Sequence, residues 1–122
     1  MNVTVEGLLQ QLRMDAQTLI FADVLAVIGQ HYRYTPTRFT NGLGEHKLIN
    51  EPGTNEGSCQ VFGFALLHGL SQEATLKLFA EHYQSVLAEP HGVNHANIRM
   101  FMRFGWDGIY FDGEPLALRA AR

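Results

Sequence analysis

The sequence has very little cysteine: Cys59 is the only one among 122 residues, which excludes an internal disulfide. A lone thiol is typical of a protein that works in a reducing compartment. An excess of charge of one sign is also missing, because 9 basic and 12 acidic residues are interspersed and give a net charge of −3. This balance argues against nonspecific nucleic-acid binding, so we expect no nucleic-acid partner.

Long hydrophobic runs are missing as well. Residues 19–28 are the best candidate, but Asp23 interrupts them and they are short for a membrane span. No basic segment leads into an apolar run, so the sequence predicts no secretory signal peptide. With 46% hydrophobic and 17% charged residues, the chain is typical of a globular protein, and its length predicts one domain over residues 1–122.

The stretch that differs most from the rest is a polar loop, residues 53–59, with an apolar segment running on to residue 70. Only one glutamine and one histidine are plainly polar in that segment, and the apolar side chains cover almost every face of a helix. A helix that is apolar nearly all round is buried. We therefore predict a central helix in which Phe62 and Leu66 are nearly fully buried.

Other helices are predicted on both sides of this segment. Apolar residues spaced i, i+3, i+4, i+7 follow Thr4 and predict an amphipathic helix, and Asp15 is expected to cap a second, antiparallel one. Ser71 is expected to start one long helix that continues to about Ala88. Asn94 is expected to cap a shorter helix near the C-terminal end.

Strand patterns occur in two regions. Residues 37–40 and 47–49 flank the turn signal Asn41-Gly42, and residues 109–111 and 116–118 suggest a C-terminal hairpin. Together with the helices, these patterns predict an α+β fold that is mostly helical and has a small antiparallel sheet.

Several strings together resemble one known family, the HopJ type III effector family, over nearly the whole chain. They are YRYTPTRFTNG (32–42), GTNEGSC (53–59), LHGLS (67–71), HANIR (95–99), GWDGI (105–109) and FDG (111–113). The resemblance implies a small bacterial protein named after effectors that plant pathogens inject into host cells. It implies the bacterial cytoplasm as its location, with secretion into a host cell as the alternative, and it supplies no established activity or catalytic residue.

The thiol of Cys59 has two interpretations. In the first turns of a helix, the dipole and free N–H groups stabilise a thiolate, as a hydrolase or transferase would need. On the apolar stripe of the same helix, the thiol is an inert core group instead. The catalytic interpretation also needs a base, for which His95, His68 and His46 are candidates, and an orienting group, for which Asn55 and Asn97 are candidates.

Glu56 is a further candidate acid or base, although its ordinary role would be a favourable charge at a helix N-terminus. His91 and His95 have a metal-ligand spacing, but Gly92 and Asn94 place His91 in a loop, where that spacing loses its meaning. The family commonly has acidic residues at positions 91 and 94, and this chain does not. We expect no metal ion and no cofactor.

A shared cleft is the main site hypothesis. The loops before the central helix and before the C-terminal helix each carry more polar groups than helix capping requires. Because helix starts suit polar or anionic ligands, we expect the two loops to face each other across one cleft. The rival interpretation is a structural hydrogen-bond network. The candidate ligand-binding residues are Asn41, Asn55, Glu56, Ser58, His95, Asn97 and Arg99.

Three functions follow from these observations. The first is an effector-like protein that binds a partner protein or a small polar ligand at the 53–59 loop. The second is a thiol-dependent hydrolase or transferase that uses Cys59 with a histidine. The third is a structural protein–protein interaction module, for which a flat apolar patch would be typical.

Overall fold

A computed structural model describes residues 4–119, and more than half of the chain is helical. The strands are short and antiparallel, so the predicted α+β fold is confirmed. Within residues 4–119, no helix has the length and apolar character needed to cross a bilayer. Six α-helices lie in this range: α1 (Val5–Met14), α2 (Phe21–His31), α3 (Glu56–Leu67), α4 (Gln72–Lys77), α5 (Glu81–Ala88) and α6 (Ala96–Phe104).

Five short strands form two antiparallel sheets in the same range: β1 (Tyr32–Tyr34), β2 (Phe39–Asn41), β3 (Leu48–Asn50), β4 (Tyr110–Phe111) and β5 (Leu116–Leu118). β1 pairs with β5, whereas β2 lies between β3 and β4. The predicted strand pair around Asn41-Gly42 is confirmed, because β2 and β3 pair with Phe39 opposite Asn50.

The two N-terminal helices form where they are predicted, but Asp15 is not the cap of the second one. Thr4 caps α1 as expected. Asp15 precedes a one-turn 3₁₀ segment, and α2 begins six residues later, at Phe21. There the carboxylate of Glu81 accepts a hydrogen bond from the Phe21 amide at 2.8 Å. A residue far away in sequence therefore stabilises the start of α2, which no local pattern indicates.

α3 supplies the centre of the core. Cys59 and the run 61–65 are buried, and Phe62 is fully buried as predicted. The prediction for Leu66 is wrong, because 55% of that residue is exposed. Leu66 and Leu67 form the last residues of α3, and both are exposed, so the core covers the helix only up to Ala65.

The single long helix predicted for residues 71–88 is also wrong. α4 ends at Lys77 and α5 begins at Glu81, and Leu78, Phe79 and Ala80 between them are all buried. The amides of Phe79 and Ala80 bond to the carbonyls three residues earlier, which tightens the chain after α4. Ala80 then has φ +54°, outside the right-handed helical region, so one helix cannot continue through it.

The predicted C-terminal hairpin is also wrong, because its two strands belong to different sheets. Tyr110 of β4 lies opposite Thr40, whereas Leu116 of β5 lies opposite Tyr34. The link between them packs on α3, where a Cβ on Gly63 would lie 2.9 Å from the ring of Pro115. This close packing on the core holds the two strands apart.

Candidate functional site

A cavity of about 460 Å³ lies at the starts of four helices, α2, α3, α5 and α6. Asn55 and Ser58 contribute from the beginning of α3, and His95 and Asn97 contribute from the beginning of α6. The two polar loops are therefore neighbours around one cavity. β3 closes one side of it with residues 48–50.

The start of α3 is built on an unusual backbone conformation. Asn55 is the N-terminal flanking residue and has left-handed angles, φ 49° and ψ 46°, which asparagine tolerates better than most residues. An N-cap usually has extended angles, from which its side chain reaches the next amides. Asn55 makes no such cap bond, and backbone bonding begins only at the amide of Cys59. The amides before it, including those of Gly57 and Ser58, therefore have no capping side chain, and both of these residues line the cavity.

The start of α6 repeats this arrangement. His95, not the predicted Asn94, is the flanking residue, and it has φ 53° and ψ 51° without a cap bond from its side chain. Backbone bonding begins at the amide of Arg99, so the amides of Ala96 and Asn97 lie in an uncapped first turn. Two uncapped helix starts with the same left-handed entry thus border one cavity.

Asn94 has a different role, because it holds Arg99. The guanidinium of Arg99 donates to the carbonyl of Asn94 at 2.6 Å and to its side-chain oxygen at 2.8 Å. It also donates to the carbonyls of Glu89 and Pro90. Arg99 therefore fastens the 89–94 loop to α6 and does not line the cavity.

Four asparagines form a hydrogen-bond network, and three of them, Asn50, Asn55 and Asn97, line the cavity. Asn50 and Asn97 exchange two side-chain bonds of 2.9 and 3.1 Å. Asn41 donates to both the backbone and the side-chain oxygen of Asn97, and Asn55 donates to Asn50 at 2.7 Å. Asn41, Asn50 and Asn97 are buried, so this network locks β2 and β3 to the start of α6. It matches the structural interpretation for Asn41 and Asn97.

The cavity wall carries a histidine pair. The rings of His82 and His95 lie 4.9 Å apart, centroid to centroid. Among the described residues, no aspartate or glutamate lines the cavity, although the protein as a whole is acidic. Glu81 lies at one of the four helix starts, but it is bound to the Phe21 amide, and this bond lowers the pKa of its carboxyl. Within the described residues, the cavity lining thus combines two uncapped helix starts and two histidines with no anionic side chain.

Glu56 lies on another side of α3. Burial raises the pKa of the Tyr34 hydroxyl and of the Cys59 thiol, and the carboxylate of Glu56 contributes to the increase in both. Glu56 is not among the described residues that line the cavity. The ordinary role of a charge in the first turn of α3 fits this placement.

Cys59 is 1% exposed and donates to the carbonyl of Thr37, with sulfur and oxygen 3.6 Å apart. Burial has the largest effect and raises the pKa of the thiol, whereas hydrogen bonds with Thr37 and Tyr34 lower it by less. The carboxylate of Glu56 makes the smallest contribution and raises the pKa. No histidine is among the described groups that act on the thiol. This environment is typical of an inert core cysteine.

The thiol should therefore react slowly in the native protein. We expect a neutral thiol reagent to label native Cys59 at least about tenfold more slowly than the same protein in denaturant, because the thiol is buried and protonated. Labelling can be followed by the absorbance of the released aromatic thiolate. Equal rates in native and denatured protein would show that the thiol is accessible and would favour the hydrolase or transferase.

The other two candidate bases have separate environments. The ring of His68 bonds to the hydroxyl of Tyr32 at 2.7 Å, and burial lowers the pKa of this histidine. His46 is exposed at the end of a 3₁₀ turn between β2 and β3. Within residues 4–119, no group of three or more histidine, cysteine or acidic side chains has the geometry of a metal site.

Sequence reasoning missed two residues of this site, Asn50 and His82. Asn50 follows a strand pattern and precedes Pro52-Gly53, so it looked like part of a turn. His82 looked like one residue of a long helix, and it reaches the cavity because the helix breaks at Ala80. An alanine at positive φ has no sequence signal. The excess of polar groups in the two loops was the signal that pointed to this region.

Comparison with known proteins gives a family and a fold. The sequence profile of the family described as HopJ type III effector protein matches residues 5–116. The chain is also similar to the crystal structure of an unknown-function protein, VPA0580, with 38% sequence identity and a TM-score of 0.91. That match covers 98% of this chain and 97% of the other. No curated protein matches the chain.

Proposed function

The chain belongs to the HopJ type III effector protein family, and on that premise we propose that it binds a small anionic ligand in the cavity between α3 and α6. The observation that carries this proposal is the pair of uncapped helix starts that border the cavity. The ligand group would be an oxyanion, such as a phosphate or a carboxylate, and binding would be noncatalytic.

The electrostatics of the cavity favour an anion. The first amides of each helix carry a partial positive charge, because they lie at the positive end of the helix dipole. At both helix starts, a residue with left-handed backbone angles precedes the helical residues. Successive amides in such conformations form a concave donor surface that suits oxyanions. Ser58, His82 and His95 add side-chain donors at the rim.

The asparagine network holds the walls of the cavity in place. Asn50 and Asn97 are tied to each other and to β2, so the start of α6 is fixed relative to β3. Asn55 ties the start of α3 to the same network. A site whose donors are held in place before binding loses less entropy when a ligand binds. The structural interpretation and the binding interpretation are thus compatible: Asn41 and Asn97 hold the walls, and the amides, Ser58 and His95 contact the ligand.

The proposal can be tested by ligand-induced stabilisation. Inorganic phosphate, compared with chloride at equal ionic strength, should stabilise the protein against thermal unfolding. At a phosphate concentration of about 100 times Kd, the gain is about 2.7 kcal/mol. His95→Asn removes the imidazole but tolerates the left-handed backbone, and it should weaken binding by about tenfold, as expected for one charge-assisted hydrogen bond.

His46→Asn is the matched control, because His46 is exposed and outside the cavity. It should leave both stability and phosphate binding unchanged. A large loss of stability in His95→Asn without ligand would indicate that His95 is structural. No stabilisation of the wild-type protein by phosphate, or by a small dicarboxylate such as malonate, would contradict an oxyanion site.

For the cellular role, we propose an effector-like protein that is made in the bacterial cytoplasm and delivered into a host cell. The family to which the chain belongs supports this role by its description. Fusion of the chain to a reporter enzyme that is active only in host cytoplasm tests delivery, with a strain that lacks the secretion apparatus as the control.

A further inference from the structure

A groove between α5 and α6 combines an apolar floor with a basic edge. It has a volume of about 290 Å³ and shares none of its lining residues with the cavity described above. The floor is formed by Val86, Leu87, Pro90 and Met102, and the edge is formed by Arg99 and Arg103. Leu87 is 47% exposed and Met102 is 37% exposed, so the floor is open to solvent.

Among residues 4–119, neither arginine forms a salt bridge, and those found there involve other basic residues, Arg38 and Lys77. In the same part of the chain, Arg99 donates to carbonyl and amide oxygens and to no carboxylate. The groove is therefore a local positive region on a protein whose net charge is −3.

The guanidinium of Arg103 stacks on Phe104 and can donate hydrogen bonds to a ligand. It lies 4.9 Å from the ring centroid of Phe104, and this cation–π contact limits its motion. Its five N–H donors have no described hydrogen-bond acceptor, and a guanidinium binds a carboxylate through two parallel bonds. The apolar floor beside it provides room for aliphatic or aromatic side chains next to that carboxylate.

We propose that this groove binds a short segment of a partner protein that carries an acidic residue beside large apolar residues. Charge complementarity with Arg99 and Arg103 selects the acidic residue, and Leu87 and Met102 contact the apolar ones. Methionine and arginine are common at such surfaces, because the first adapts its shape and the second anchors an acid. A fatty carboxylate has the same chemical groups, but an alkyl chain is best covered by a closed cavity, and this groove is shallow and open.

A peptide library tests the proposal without a known partner. We would select a phage-displayed library of random peptides against the wild-type protein and remove clones that also bind the Arg103→Glu variant. The enriched peptides should carry aspartate or glutamate beside leucine, isoleucine or phenylalanine. One enriched peptide would then be synthesised and titrated into isotopically labelled protein, and the amide signals of Leu87 and Met102 should shift on saturation.

Variants separate the basic edge from general charge effects. Arg103→Ala should weaken the peptide by about tenfold, and Arg103→Lys should weaken it less, because it keeps the charge but loses the paired bonds. Arg13→Ala, at an exposed arginine on α1, should leave the affinity unchanged. The proposal is overturned if no peptide is enriched, if the enriched peptides lack acidic residues, or if dodecanoate shifts the Leu87 and Met102 signals and the peptides do not.

Discussion

Phe62→Ala should destabilise the protein by about 3–5 kcal/mol, because it would remove a fully buried ring from the centre of the core. The ring of Phe62 packs among other aromatic side chains of the core. These rings are rigid, so they would not fill the cavity that the substitution leaves. Four aromatic rings surround it, with centroids 4.9 to 6.5 Å away: Phe39, Phe79, Phe101 and Trp106.

Urea unfolding measures this loss as a lower midpoint with an unchanged slope. Leu66→Ala is the matched control, because Leu66 lies one turn further along the same helix and is 55% exposed. It should cost less than about 1 kcal/mol. A loss of less than about 1 kcal/mol for Phe62→Ala would mean that α3 is not the centre of the core.

Asn97→Ala should cost about 2–4 kcal/mol, although alanine is a better helix former. The substitution removes three side-chain hydrogen bonds from a buried network. Asn41 keeps its bond to the backbone oxygen of residue 97, but the side-chain nitrogen of Asn50 loses its acceptor. A buried donor without a partner carries its full desolvation cost.

Asn55→Gly is the control for this network. Asn55 is exposed, makes one bond to Asn50, and has a left-handed backbone that glycine adopts readily. Its loss should be below about 1 kcal/mol. If chemical denaturation gave equal losses for Asn97→Ala and Asn55→Gly, the buried pair of Asn50 and Asn97 would not be what fixes α6 to β3.

Patterns that depend on near neighbours in sequence were predictable. The spacing after Thr4 predicted α1, the strand pair around Asn41-Gly42 was predicted, and the apolar run predicted the burial of Phe62. In each case the signal lies within one short segment: a periodic apolar face, a turn signal between strand patterns, or a continuous apolar run. The exposure of Leu66 was not predictable in this way, because it depends on how far neighbouring elements extend along the helix.

Features that depend on tertiary packing could not be predicted. The break at Ala80 rests on a positive φ at an alanine, which no local pattern indicates, and β4 and β5 separate because the link between them packs against Gly63. The same holds for the cavity. The sequence showed two polar loops at helix starts, but the left-handed angles of Asn55 and His95 and the contribution of His82 come from the folded chain.

The most direct test of the proposed function is a titration of isotopically labelled protein with inorganic phosphate, followed by amide chemical shifts at constant ionic strength. We predict saturable shifts at the first amides of both helices, those of Gly57, Ser58, Ala96 and Asn97, because these donors border the cavity. Shifts that do not saturate at these amides, or that saturate only at Leu87 and Met102 in the other groove, would contradict an anion site between α3 and α6.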